Sequence, residues 1–213
     1  MKNVIIIGAN GRSARQIITR LTGEADVTLT LFARRPDRVA DIAGERSVLV
    51  DGDAHDKEAL ARAMVGQDIV IVALGGMDLD TNTANVVSAA EQAGANRIIT
   101  INAGGIYNEL PEPFNTWDFV RAGHTRPINL RAADVVEESS LQYTILRPVW
   151  LTDKDMTEVE LTRKSEAFKG TETSRASLAS FIAGIVADPS SYVRENLGIT
   201  QPGTDGDKPA AHR

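Results

Sequence analysis

A glycine-rich turn near the start of the sequence has the spacing of a phosphate-binding loop. The apolar run at residues 4–7 leads into Gly8, Gly11 follows, and Ala14 stands three positions beyond Gly11. Glycine lets a backbone approach a pyrophosphate closely, and the helix start after such a turn offers free N–H groups. Alanine can fill the third position, which only packs helix against sheet. The segment also fits an ordinary turn between a buried strand and a helix.

Two arginines follow the second predicted strand, in the segment LFARRPDR. Arg34 and Arg35 stand where a site for NAD usually carries an acidic residue that binds the ribose 2′-hydroxyl. Guanidinium groups bind phosphate in a planar, two-pronged way. The pair therefore favours NADP over NAD as the cofactor. Because Arg38 is close by, a solvated basic turn is the alternative.

Two further strand ends carry residues that suit a nucleotide. The third, VLVDGDAHD, places Asp53 to accept a hydrogen bond from an adenine amino group and Ala54 beside the ring. Asp51 and Asp53 could instead cap the following helix. The fourth ends in VALGG, where Gly75 and Gly76 would let the chain pass close to ribose and phosphates. Four consecutive strand ends thus offer compatible chemistry.

An alternation of apolar runs and helical spacing predicts the frame that positions these residues. The runs predict strands at residues 4–7, 27–32, 47–50, 69–73, 97–101 and 143–146, with a further strand near 197–200. The helical spacing gives apolar stripes at Ala14, Ile17, Ile18 and Leu21, at Leu60, Ala63 and Met64, and at Val86, Ala89, Ala90 and Ala93. Glycines that would end these helices are Gly23, Gly66 and Gly94. Continuous apolar strands between helices predict a doubly wound α/β domain with a parallel sheet.

Three polar segments interrupt this alternation. Residues 104–127 contain three prolines, and we expect a long loop or substrate flap there. Residues 152–173 form a polar insertion with a possible short strand around 158–162. Both would lie at the carboxyl edge of the sheet, where ligands bind in this fold class. We expect residues 1–202 to form the domain and residues 203–213 a flexible tail.

Composition limits the classes of partner. The sequence has 213 residues, a formal net charge of −6 and no cysteine. This length suits one domain, and the charge argues against a general electrostatic hold on nucleic acid or an anionic membrane. The sequence shows neither signal-peptide anatomy nor the apolar run of about 20 residues that a membrane span needs. We expect a cytoplasmic protein whose partner is a small-molecule substrate; composition does not indicate the oligomeric state.

Six segments together resemble one family: GANGRSA, LFARRP, VDGDAHD, VALGG, YTILRPVWLT and TSRASLASFI. They are similar to the atypical short-chain dehydrogenase/reductase group of small NAD(P)H-binding proteins, whose relatives include the NmrA-like redox sensors and the flavin/biliverdin IXβ reductases. The resemblance runs from residue 1 to about residue 200. It implies a single Rossmann domain with strand order 3-2-1-4-5-6 and a short seventh strand.

The resemblance also implies a set of cofactor contacts. At the phosphates these are Gly8, Asn10, Gly11, Arg12 and Ser13. The 2′-phosphate would meet Arg34 and Arg35, the adenine Asp53 and Ala54, and the riboses Ala73, Leu74 and Gly75. The nicotinamide end would be lined by Asn102, Ala103, Pro148 and Val149.

The chain departs from this family in its catalytic groups. Many members carry a serine at the end of the fifth strand and then a Tyr-x-x-x-Lys pair that supplies the acid. Here Asn102 replaces the serine, and the sequence has no Tyr-x-x-x-Lys. Trp117-x-x-x-Arg121 has the same spacing, but an indole is no acid near neutral pH. Val149 stands where the IXβ reductases carry a histidine.

Three side chains are left as candidates for catalysis. Asn102 could bind a carbonyl or the nicotinamide amide, or it could be a satisfied residue at a strand end. Tyr107 could donate a proton, or it could pack as a flap aromatic. His124 has a suitable pKa range, but a lone loop histidine often lies on the surface. The glutamates of residues 152–173 show no spacing for a metal site. Candidates for an aromatic substrate wall are Phe114, Trp117, Phe119 and Trp150.

These observations predict an NADPH-dependent oxidoreductase that acts on a small planar acceptor such as a quinone or flavin. Such acceptors take hydride readily and can draw their proton from water. The alternative is an NADP(H)-binding sensor without turnover, which the missing tyrosine and lysine permit. A nucleotide-sugar epimerase or dehydratase is a third hypothesis, which the missing pair and the absence of a larger substrate domain disfavour.

Overall fold

Eight strands form the central sheet in the computed structural model, which describes residues 1–212. The strands are β1 (Lys2–Ile7), β2 (Val27–Ala33), β3 (Ser47–Asp51), β4 (Ile69–Val72), β5 (Arg97–Ile101), β6 (Gln142–Pro148), β8 (Glu160–Thr162) and β10 (Glu195–Thr200). Their order is β3-β2-β1-β4-β5-β6-β10-β8, and only β8 is antiparallel to its neighbour. The predicted order 3-2-1-4-5-6 is confirmed, with β10 as the seventh strand. Strand β8 is an additional strand at the edge of the sheet, next to β10. A separate parallel pair joins β7 (Trp150–Thr152) to β9 (Glu172–Ser174).

Six α-helices cover both faces of this sheet. They are α1 (Arg12–Leu21), α2 (Lys57–Met64), α3 (Leu79–Ala93), α4 (Phe114–Ala122), α5 (Arg126–Glu138) and α6 (Arg175–Ala187). The cores on the two faces are separate: α1 and α6 pack on one, and α2, α3 and α5 on the other. The four residues at 4–7 are fully buried because β1 lies mid-sheet between both layers. The doubly wound prediction is confirmed.

The predicted helix stripes are mostly buried, and two details differ. The α1 stripe is fully buried, whereas Ala93, the last residue of α3, is exposed. Gly66 and Gly94 have φ of +74°, the left-handed conformation predicted for a residue after a helix. Gly23 also comes directly after the end of α1, as predicted, but the C-cap residue Thr22 is right-handed and Gly23 does not have a positive φ.

The prediction of a long loop at residues 104–127 is wrong for residues 114–127, whereas residues 104–113 are irregular as predicted. Helix α4 occupies nine of these residues, a 3-10 turn at Gly123–Thr125 follows, and α5 begins at Arg126. Two of the three prolines that indicated a loop stand at helix starts: Pro113 is the N-cap residue of α4, and Pro127 lies in the first turn of α5. Proline is well tolerated there because the first N–H groups of a helix lack internal partners.

The polar insertion contains the predicted short strand, which the structure places at Glu160–Thr162 as β8. Residues 203–213, which we expected to form a flexible tail, make contacts with the rest of the domain in their described part. The Thr204 carbonyl accepts a hydrogen bond from the Thr171 hydroxyl at 2.6 Å, and the His212 ring lies 5.2 Å from the Trp117 ring. An aromatic surface therefore holds this segment; Arg213 lies outside the described residues. No helix within residues 1–212 is long and apolar enough to cross a membrane.

Candidate nucleotide-binding cleft

A cleft follows the carboxyl ends of the central strands, where ligands bind in open α/β sheets. It consists of three adjoining hollows, which we name the first, the central and the distal hollow, of about 310, 380 and 360 Å³. The first and central hollows share Gly11, Ala73, Leu74 and Gly75. The central and distal hollows share Asn102, Thr125, Leu151 and Arg175. Every residue of the implied cofactor set lines at least one of the three.

The glycine turn has a backbone that other residues could not adopt. Gly8 has φ of +87°, and a Cβ there would lie 2.6 Å from the carbonyl oxygen of Ala73. Gly11 is the N-cap residue of α1 and brings no side-chain acceptor to it. The first N–H groups of α1 are thus left for a ligand, which suits a phosphate. A Cβ on Gly75 would meet nothing within 4 Å, so the cleft is open beside it. These features fit a bound dinucleotide.

The turn after β2 that carries Arg34, Arg35 and Arg38, which we name the basic turn, is attached to the glycine turn through Asn10. Its Nδ2 donates to the carbonyl oxygens of Arg34 at 2.5 Å and Arg35 at 3.1 Å. Arg35 has the left-handed φ of +57°, which this clamp helps to hold. The Asn10 amide is therefore already engaged by the protein rather than free for the phosphates. Arg38 lines the first hollow together with Arg34 and Arg35, so the turn presents three guanidinium groups to one space.

The Asp53 carboxylate is held by its neighbour His55. Asp53 Oδ1 accepts from the His55 backbone N–H at 3.0 Å and lies 3.0 Å from the His55 Nδ1, while His55 Nε2 is 3.1 Å from Asp78 Oδ2. The backbone hydrogen bond from His55, and then its ring, lower the pKa of Asp53. Asp53 and Ala54 both line the first hollow. His55 was missed from the sequence, although the spacing D-x-H fits a local side-chain turn.

The capping alternative for Asp51 and Asp53 is wrong. The N-cap residue of α2 is Asp56, whose Oδ1 accepts from the backbone N–H of Glu58 and of Ala59 at 3.0 Å each. Asp51 instead accepts from the Arg35 backbone N–H at 3.3 Å. Neither earlier aspartate therefore caps α2, and of the two only Asp53 lines the first hollow.

At the distal end, Asn102 is satisfied by the protein. Its Nδ2 donates to the Asn129 carbonyl oxygen at 2.9 Å, and its Oδ1 accepts from the Ala103 backbone N–H at 2.7 Å. This is the strand-end arrangement that the sequence left as an alternative. Ala103, Pro148 and Val149 line the distal hollow beside it.

The other two catalytic candidates do not line the cleft. The Tyr107 hydroxyl accepts from Asn196 Nδ2 at 2.9 Å and lines a separate hollow with Glu137 and Lys164. Burial and, after it, the Glu137 charge raise the pKa of Tyr107, which makes it a poorer acid. His124 is exposed in the 3-10 turn and lines none of the three hollows. Neither side chain is positioned to protonate a substrate in the cleft.

An ion pair in the distal hollow was missed from the sequence. Arg126 Nη2 donates to Asp118 Oδ2 at 2.8 Å, and both side chains are about one-tenth exposed. Asp118 Oδ1 accepts from the Trp150 Nε1–H at 2.9 Å. The pair joins α4 to the start of α5, and no sequence pattern signals it because the predicted element there was a loop.

A second group of charges joins the glycine turn to the polar insertion. Arg12 forms an ion pair with Asp153, which also accepts from Arg175 Nη1 at 2.7 Å. The two arginines line the central hollow. Asp153 therefore bridges the start of α1 and the start of α6 across the cleft. Within residues 1–212, no group of three or more histidine, aspartate or glutamate side chains could hold a metal ion.

The predicted aromatic wall is only partly in the cleft. Trp150 lines the distal hollow, and Trp117 packs on it with ring centroids 4.8 Å apart. Phe114 is fully buried behind Trp117, and Phe119 lies on the surface with 61% of its area exposed. Trp150 is thus the aromatic face that an acceptor could meet.

Comparisons with known proteins agree with this site. A family model described as NAD(P)H-binding matches residues 8–189. A Rossmann-fold NAD(P)-binding family protein from Shigella flexneri is 42% identical, with 98% of each chain covered and a TM-score of 0.83. A short-chain dehydrogenase/reductase from Veillonella parvula, solved in complex with NADP, is 28% identical with a TM-score of 0.91 over 98% of this chain and 99% of that one.

A further relative, the "uncharacterized sugar epimerase YhfK" of Bacillus subtilis, is 27% identical over 68% of this chain and 70% of its own length. The matched residues 8–189 include the glycine turn, the basic turn, and helices α4 and α5, which line the distal hollow. The match therefore covers every part of the cleft. The chain belongs to the NAD(P)H-binding family of Rossmann-fold, short-chain dehydrogenase/reductase-like proteins.

Proposed function

We propose that this protein is an NADPH-dependent oxidoreductase of the atypical short-chain dehydrogenase type that transfers hydride to a small planar acceptor such as a quinone or flavin. The observation that carries the proposal is the continuous cleft from the basic turn to the distal hollow. Its three adjoining hollows are lined by every residue expected to contact a dinucleotide, and we expect the acceptor to occupy the distal hollow, of about 360 Å³, beside Pro148 and Val149. When bound, the nicotinamide would supply the hydride.

The basic turn supports NADP rather than NAD. Arg34 is 80% exposed at its side chain, and its contact with Asp53, at 3.7 Å, is too long to hold the guanidinium. Among the described residues, the side chains of Arg35 and Arg38 form no ion pair. Three guanidinium groups beside one hollow suit a 2′-phosphate, which two-pronged hydrogen bonds would bind. The NADP bound to the Veillonella relative is consistent with this preference.

The polar groups of the distal hollow support an acceptor that needs no protein acid. The amide nitrogen and the amide oxygen of Asn102 both form hydrogen bonds within the protein. The Asp118 carboxylate forms an ion pair with Arg126. Tyr107 lies outside the cleft, and the sequence has no Tyr-x-x-x-Lys. Quinones and flavins accept hydride when positioned and can take a proton from water. In this proposal the role of the chain is to bind, orient and shield the two molecules.

The test is NADPH consumption with a panel of quinones, flavins and aldehydes. We expect turnover with quinones or flavins and none with the aldehydes. Gly75→Leu should place its side chain in the open cleft, because a Cβ there meets nothing within 4 Å, and it should abolish both NADPH binding and turnover. Gly184→Leu is the matched control, since a Cβ there also meets nothing within 4 Å but lies on the outer face of α6.

A sensor without turnover is the second candidate, because the same cleft lacks a positioned acid. The panel separates the two: NADPH binding without consumption of any acceptor would overturn the oxidoreductase proposal and favour the sensor. The sugar-epimerase name of the Bacillus relative does not change this ranking. Epimerases of the short-chain family use the tyrosine and lysine that this sequence lacks.

A further inference from the structure

The distal hollow contains two arginines that the proposed cofactor contacts do not use. Arg126 is the first residue of α5 and Arg175 the first of α6, and both line the hollow beside Val149 and Trp150. Arg175 also lines the central hollow, so it stands where the two spaces meet. The expected position of the acceptor is therefore next to two guanidinium groups.

Arg126 is fixed in place with donors to spare. It is 8% exposed, and a Cβ on Gly105 would lie 2.9 Å from its Cζ, so backbone covers it closely. The Phe119 ring centroid lies 5.4 Å from the Cζ. Nη2 donates to Asp118, while Nε is buried and, within residues 1–212, has no partner. One carboxylate thus leaves part of this guanidinium unsatisfied.

Arg175 is in the same condition. Its Nη1 donates to Asp153 at 2.7 Å and to the Leu151 carbonyl oxygen at 3.4 Å. Its side chain is 11% exposed, and its Nε is buried without a partner in the described chain. Asp153 is shared with Arg12, so one carboxylate serves two cations.

The charges of the central and distal hollows therefore do not balance. Within residues 1–212, the ion pairs of Arg12, Arg126 and Arg175 involve two carboxylates, those of Asp118 and Asp153. Guanidinium groups with spare N–H donors recognise carboxylates by two parallel hydrogen bonds. A buried cation with incomplete hydrogen bonding gains from an anionic partner.

We propose that the acceptor carries a carboxylate group, which Arg126 and Arg175 bind in the distal hollow while Trp150 and Val149 face its planar ring. Asp118 and Asp153 keep the two guanidinium groups in position. This inference rests on the proposed function, because it names the class of acceptor for that same site.

The experiment compares two acceptors that differ only in this group. They are a 1,4-naphthoquinone with a propionate side chain and the methyl ester of the same compound. We expect a KM for the acid at least tenfold below that for the ester, with similar kcat, because the reacting ring is unchanged. Equal KM values for acid and ester in the unmodified protein would overturn the inference and leave the oxidoreductase proposal intact.

Arg175→Gln is the primary variant, because its partner Asp153 is 56% exposed and can be solvated when the arginine is lost. It should bring the KM ratio of ester to acid close to one, and Arg175→Lys should keep part of the preference. Arg62→Gln is the control: it removes the same charge from the exposed face of α2, away from the cleft. A preference that survives in full in Arg175→Gln, and also in Arg126→Gln combined with Asp118→Asn, which leaves no buried lone charge, would show that these arginines do not bind the carboxylate.

A binding assay separates this inference from the proposed function. Both tryptophans of the chain, Trp117 and Trp150, pack together at the distal hollow, so their fluorescence reports on ligand there. With NADP⁺ present, the acid should bind more tightly than the ester even if no acceptor is turned over, and Arg175→Gln should remove the difference. If neither quinone is reduced and both bind equally, the two proposals fail together.

Discussion

Replacing Arg34 and Arg35 together by alanine should weaken NADPH binding and leave NADH binding nearly unchanged. Both side chains line the first hollow, and the only ion pair of Arg34 among residues 1–212 is the long contact to Asp53. Alanine keeps a Cβ at Arg35, so the cost of its left-handed backbone stays the same. The change therefore removes ligand contacts with little effect on the fold.

The magnitude follows from the hydrogen bonds lost. A hydrogen bond to a charged group contributes about 1.5–3 kcal/mol. We take the lower end for each arginine, since Arg34 is 80% exposed and its field is screened by solvent. Two such bonds give about 3 kcal/mol, on the order of a 100-fold rise in the Kd for NADPH. NADH has no 2′-phosphate, so we expect its Kd to change by less than about threefold.

The assay is titration of NADPH and NADH by their fluorescence, at low and at physiological ionic strength. The preference should shrink with salt, because the Debye length falls to about 8 Å at physiological strength. Arg20→Ala combined with Arg62→Ala is the control: it removes the same charge from two exposed pairs outside the cleft. Equal weakening of NADPH and NADH would refute the assignment of these arginines to the 2′-phosphate.

Three further predictions concern the frame of the site. Gly8→Ala should lower the free energy of unfolding by more than about 2 kcal/mol, because its Cβ would lie 2.6 Å from a carbonyl oxygen. Gly66→Ala, at a similar positive φ but in open space, should lower it by about 1 kcal/mol. Urea unfolding measures both values. Glu109→Gln should cost about 3–5 kcal/mol in the same assay, because it leaves the fully buried Arg147 without its carboxylate. Tyr107→Phe should leave kcat unchanged within about twofold in the NADPH assay, because the hydroxyl lies outside the cleft.

Each of these has an outcome that contradicts it. Equal losses for Gly8→Ala and Gly66→Ala would mean that the turn relaxes around the new methyl group. A Glu109→Gln protein as stable as the parent would show that Arg147 finds another partner. A large fall in kcat for Tyr107→Phe, with stability unchanged, would return this tyrosine to the list of proton donors.

The sheet and the cofactor end of the cleft could be predicted because their signals are local. A buried parallel strand reads as an apolar run, and α1 shows its buried face in the spacing of Ala14, Ile17, Ile18 and Leu21. The glycine turn, the basic turn and Asp53 each follow a strand, and in a parallel sheet the carboxyl ends of strands share one edge. The resemblance then supplied the strand order.

The acceptor end was decided by tertiary structure, because its groups meet only when separate elements pack. Asp118 and Arg126 are brought together by two helices in a segment whose prolines had indicated a loop. Arg175 reaches the cleft because α6 packs beside α1, and Asp153 because β7 pairs with β9. Periodicity and turn residues report what a segment does along its own length. These local signals do not show which charged side chains, distant in sequence, line the same hollow. The packing of the helices and strands determines that.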